Sequence, residues 1–208
     1  MAKRQLDFYV KALFPERYHI CGVNLRPFCL AHYFLMQRFE SAFLNEHTQI
    51  ATDQLPKELF LAIAICSRTD VGFLEFIEDA VELERWSKEW SDAMVTLVNS
   101  NKDYSFLEDV YRFQEYMQDG IVVPYFWDLM GGDIDTEKSG AHWTQSVLFI
   151  LTSKLGYSVT EALNIPLARA IAEHFKYLES EGAITLMQDW QIDLATDNKE
   201  TANGQGKN

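Results

Sequence analysis

The side chains with the most chemical potential cluster early in the chain: His19-Ile-Cys21, then Cys29 and His32. Imidazole nitrogen and thiolate sulfur are both good zinc ligands, so a metal-dependent enzyme built on His19, Cys21, Cys29 and His32 is one reading. The spacing opposes it. Structural zinc sites present ligand pairs about two to four residues apart. Here seven residues separate Cys21 from Cys29, and Cys29 and His32 border an apolar helical face. Core thiols and partly buried imidazoles account for the same residues, so no metal and no cofactor is expected.

Nucleophilic catalysis needs a serine or cysteine beside a histidine base and an orienting acid, and no G-x-S-x-G elbow occurs. Cys66-Ser67-Arg68-Thr69-Asp70 has suitable residue types at an expected helix end. Serine, threonine and aspartate at such a place serve better to cap one helix and begin the next. The acids Glu75, Glu78, Asp79, Glu82 and Glu84 invite comparison with carboxylate-bridged metal bundles, but the paired E-x-x-H motifs are missing, and a solvated helix face explains them. Gly131-Gly132 lacks the strand and lysine of a phosphate loop. An enzyme would need a nonstandard site drawn from these cysteines and His19, His32, His142 and His174; no catalytic residue is expected.

The elements that would position such groups are helical by their periodicity. Leu6, Val10, Leu13 and Phe14 form a helical stripe that Pro15 ends, because its ring and missing amide hydrogen cannot continue the helix. The ERYHICGVN segment after it reads as irregular. Phe28, Ala31, Leu35, Phe39 and Ala42 mark a second helix, and the apolar block Leu59 to Cys66 behind Pro56 a buried third. Ala80, Leu83, Trp86, Trp90, Ala93 and Leu97 predict a long amphipathic helix. Leu107, Val110, Tyr111, Gln114 and Met117 predict another, ending at Gly120. IVVPYFWDL then carries strand-forming residues, with Pro124 against a central strand. Trp143, Val147, Ile150 and Leu151 form a helix closed by Gly156.

In SVTEALNIPL, Ser158 with Glu161 is a capping-box pattern for a short helix. Asn164 is placed to help start the next one, whose stripe is Leu167, Ile171, His174, Phe175 and Leu178, until Gly182. The expected fold is all-α, a multi-helix globular bundle. Residues 1–130 form a helical domain, 131–140 a loop or linker, 141–194 a C-terminal helical subdomain packed on the first, and 195–208 a disordered tail.

Hydrophobic residues make up 48% of the 208, enough for a sizeable core, and the net charge of −13 with no long basic run speaks against nucleic acid as a partner. The longest apolar block is well short of the roughly 20 residues that span a bilayer, so no membrane partner is expected. Three cysteines without C-x-x-C spacing, and no apolar leader, lead to an expectation of reduced thiols in the cytoplasm.

Five tryptophans and fourteen phenylalanines give more aromatic area than catalysis explains. An acidic helical protein can keep an apolar groove for a partner helix, its carboxylates selecting basic flanks. Phe73, Phe76, Trp86, Trp90, Leu167, Ile171 and Phe175 are the expected partner-binding residues.

The Trp143 helix followed by GYSVTEALNIPL and a helix reaching ESEG, together with NLRPFCLAHYFLMQRFESAF and ELFLAIAICSR, resembles the phage tail assembly chaperones. The resemblance covers part of the first half and residues 143 to 182. It implies a non-enzymatic acidic helical protein that holds a hydrophobic tape measure or tail protein before tail polymerisation, with no cofactor. A structural or adaptor subunit of a larger phage-like particle is the alternative, and self-association into a homo-oligomer is left open.

Overall fold

The computed structural model describes residues 5–44, 54–68, 105–128 and 142–192. In chain order these form helix α1 (Gln5–Leu13), strands β1 (His19–Ile20) and β2 (Val23–Asn24), α2 (Leu30–Arg38), a 3-10 turn (Ala42–Leu44), α3 (Leu55–Cys66), α4 (Phe106–Gly120), β3 (Phe126–Asp128), α5 (Trp143–Ser153), α6 (Val159–Asn164), α7 (Leu167–Ser180) and β4 (Ile184–Leu186). The fold is mostly helical but not all-α, because β1–β2 and β3–β4 are two small antiparallel ribbons. The expected long helix around residues 76–97, the linker at 131–140 and the tail at 195–208 lie outside the described residues.

Each ribbon has a local cause. Ile20 pairs with Val23, so Cys21 and Gly22 alone make the turn. Their φ values of 51° and 77° are the paired left-handed conformations that two-residue hairpins require. Cysteine is an unusual occupant. Its side chain is buried and its N–H donates to the Asp109 carboxylate of α4 at 3.1 Å, which ties the hairpin down. The segment expected to be irregular is therefore a hairpin. In the second ribbon Phe126, Trp127 and Asp128 pair with Leu186, Thr185 and Ile184, and Pro124 sits just before the paired residues, where its missing donor costs no ladder bond.

Buried side chains of α1 to α7 join in one hydrophobic cluster running from Phe8 to Ile171. Its centre is α3, where every residue from Leu59 to Cys66 is buried; a helix apolar on all sides must be surrounded by others. α2 buries Leu30, Ala31, His32, Tyr33, Leu35 and Met36 beside it. Gly120 ends α4 where the chain passes Phe28, and a Cβ there would stand 2.6 Å from the Phe28 Cβ. That approach leaves room only for glycine.

The corner between α6 and α7 meets the segment that leads into α2. The Ser158 hydroxyl accepts from the Glu161 N–H (3.2 Å) while the Glu161 carboxylate accepts from the Ser158 N–H (2.9 Å), so the capping box is complete. The Ser158 hydroxyl also donates to the Glu161 carboxylate at 2.7 Å, and this bond, then the one from the Ser158 N–H, holds the Glu161 carboxyl below its ordinary value. Ser158→Ala is expected to cost about 1 kcal/mol in urea unfolding, the usual effect of losing an N-cap hydroxyl. Asn164 does not start α7 as expected: its side-chain amide donates to the Thr160 carbonyl and closes α6. Pro166 occupies the N-cap of α7 with no side-chain capping bond, forms an isolated bridge with Cys29, and the next amide, Leu167 N–H, donates to the Phe28 carbonyl at 2.6 Å. Thus α7 is anchored by the segment that leads into α2.

Candidate functional site

The four residues of the metal reading are placed apart in role. His19 is exposed on β1, its Nδ1 2.9 Å from Asn24 Oδ1 across the hairpin. Cys21 is buried in the turn, Cys29 precedes α2, and His32 lies fully inside the core. Among the described residues no group of three or more His, Cys, Asp or Glu side chains is gathered to hold a metal ion. Cys66, from the second candidate motif, is buried at the end of α3, and burial pushes its thiol up, away from the reactive thiolate. Its neighbour Tyr116 donates from its hydroxyl to the Arg26 carbonyl at 2.8 Å. Ser67 bonds back to the Ala64 carbonyl, closing α3 as a capping residue does. Thr69, Asp70 and the acidic residues 75–84 lie outside the described residues.

Of the expected partner-binding residues, Phe73, Phe76, Trp86 and Trp90 also lie outside the described residues. Leu167 and Ile171 are 0% and 2% exposed, so their apolar area is already spent on the core. The reason is that α7 packs against α1, α4 and α5, and its apolar stripe is the face they cover. Phe175 is half-buried, its ring 5.0 Å from that of Phe126 on β3, and serves to seat the second ribbon on α7.

The apolar surface that does face outward is elsewhere. α1 packs on α7, and its Phe8 and Ala12 are buried at 4% and 1% exposure. Val10, Leu13 and Phe14 stand on another side at 49%, 62% and 76% exposure. Steps of three and four residues place them in one row, so this short helix carries an inward apolar row and an outward one. The sequence pattern places Leu6, Val10, Leu13 and Phe14 in one helical stripe, with no signal to say whether such a stripe is covered.

Polar groups flank the row. Lys11 is paired with Asp119 of α4, and Tyr18 donates to the same carboxylate at 2.6 Å. Burial, then the bond to Asp119, push the Tyr18 phenol up, so it keeps its proton and stays a donor. Just past Phe14 an open cleft of about 330 Å³ is lined by Glu16, Arg17, Arg112 and Glu115. Exposed apolar side chains and charged ones thus follow one another along this part of the chain. Leu107 and Tyr111, one turn apart on α4, are also exposed, as are Phe149 on α5 and Trp127 on β3.

Comparison with protein-family models, with curated proteins and with solved structures found no match. No helix among the described residues is long and apolar enough to cross a membrane.

Proposed function

We propose that the protein is a non-enzymatic binding protein of the tail assembly chaperone kind, which holds an apolar helix of a partner such as a tape measure protein until polymerisation offers that helix a better surface. The observation that carries this reading is the outward row Val10, Leu13 and Phe14 on a helix whose other side is already packed. Three large apolar side chains held in water at helical spacing match the i, i+3, i+4 anchors with which helices recognise each other. The net charge of −13 keeps such a surface soluble and favours partners with basic flanks. Binding is transient in this account because a few anchors give modest affinity, which a growing tube surface outcompetes.

Co-expression with a tape measure protein tests it. The soluble yield of the tape measure protein should rise, and the two should elute together on size exclusion. An unchanged yield with separate elution contradicts the proposal.

A further inference from the structure

His32 is the most anomalous polar residue of the core. It is 1% exposed on α2, and neither Nδ1 nor Nε2 has a hydrogen-bond partner among the described residues. A buried imidazole leaves its donor and acceptor unsatisfied at a cost that an apolar side chain of similar size avoids. Its ring neighbour among the described residues is Phe28, with centroids 6.0 Å apart. Among the described residues the charged groups acting on it are both cations: Arg26, in the segment before α2, and Arg68, just past α3. Those two segments are themselves joined, since Arg26 N–H donates to the Cys66 carbonyl at 2.9 Å and the Arg26 guanidinium reaches the Arg68 carbonyl. In the same core Cys66 and Tyr116 are kept neutral by burial. Among the described residues a proton on His32 would therefore meet no acceptor, no aqueous screening and two like charges, and reaching water relieves all three.

We infer that His32 is an acid trigger built into the fold, at which proton uptake opens the core around α2 and α3. The sign follows from linkage. Burial, then Arg26 and Arg68, lower the His32 value to about 3, while an opened chain titrates near its ordinary value of about 6.5. Above about pH 6.5 the ring is neutral in both states and costs nothing further. Below it the opened state takes a proton that the closed state refuses, so closure weakens steadily as pH falls toward about 3. This device is independent of what the outer surface binds.

The buried thiols Cys29 and Cys66 report the opening, since both lie in this core and are shielded from reagents while it is closed. Site-resolved labelling with a disulfide reagent active in acid, read by mass spectrometry, gives an opening constant for the full-length chain. Between about pH 7.5 and about pH 4.5 that constant should rise about 100-fold more in the wild type than in His32→Leu or His32→Gln. The glutamine variant keeps a buried polar group that cannot titrate, so it separates protonation from desolvation and stands in if the leucine variant does not fold. In wild-type protein with labelled histidine, the His32 ring signal of the closed state should remain that of neutral imidazole down to about pH 4.5. An equal rise in wild type and variants, or a charged His32 ring in the closed protein, overturns the inference.

Discussion

Leu167→Ala is expected to lower the stability of the protein by about 2–5 kcal/mol, the range for emptying a fully enclosed leucine site. Leu167 is 0% exposed and opens α7, where its N–H is already committed to the Phe28 carbonyl. The backbone at this point is thus pinned between the α6 corner and the segment entering α2. Pinned surroundings cannot collapse into the space that the lost methyl groups leave, so the cavity persists and the upper part of the range is favoured. Urea unfolding measures it directly. A change below about 0.5 kcal/mol, the size expected at an exposed site, would place Leu167 on the surface and undo the packing described for α7.

The second large effect is on binding and leaves stability almost untouched. Replacing Val10, Leu13 and Phe14 together by glutamine removes three exposed apolar side chains from α1 and the residue after it without opening a cavity, because the buried Phe8 and Ala12 are untouched. Glutamine is a good helix former, so unfolding should shift by less than about 0.5 kcal/mol per position. Capture of a partner helix should fall by about 100-fold or more, since interface anchors each contribute more than about 1 kcal/mol. The contrast with Leu167 is the point of the pair: one variant weakens the fold through the core, the other silences the surface on an intact fold.

The sequence was most informative where a pattern has a local physical cause. Ser158 and Glu161 announce their capping box because both partners lie within one turn. Pro15, Gly156 and Gly182 mark helix ends through backbone restrictions that belong to those residues alone. The apolar block behind Pro56 reads as a buried helix and is one. Where the cause is tertiary, reading failed. The ERYHICGVN hairpin is too short to show alternation, and its turn uses Cys-Gly, which is stable because Asp109, far along the chain, accepts the Cys21 N–H. Asn164 has a suitable type for starting α7, yet it is the last residue of α6, and Pro166 takes the N-cap of α7.

The candidate surface illustrates the same limit. Periodicity picks out Leu6, Val10, Leu13 and Phe14 as one row and Leu167, Ile171, His174, Phe175 and Leu178 as another, with nothing in either row to say which one a neighbour covers. Packing decides: α7 is enclosed by α1, α4 and α5, whereas α1 packs on α7 and buries a different pair of side chains. Leu167 and Ile171, expected to meet a partner, are thus closed off in the core, Phe175 is half-buried, and the exposed apolar row is found on the helix that α7 holds. Likewise His19, Cys21, Cys29 and His32 share a chemistry in the sequence but are distributed in space between an exposed hairpin edge, a turn and the core.

The central claim is that this protein works by covering a partner's apolar helix with its own outward row, without making or breaking a bond. The most direct measurement is size exclusion of a tape measure protein co-expressed with either the wild type or the Val10, Leu13 and Phe14 glutamine variant, both first shown to unfold at the same urea concentration. A shared peak with the wild type and separate peaks with the variant is the predicted result. Identical elution of the two, whether together or apart, contradicts it.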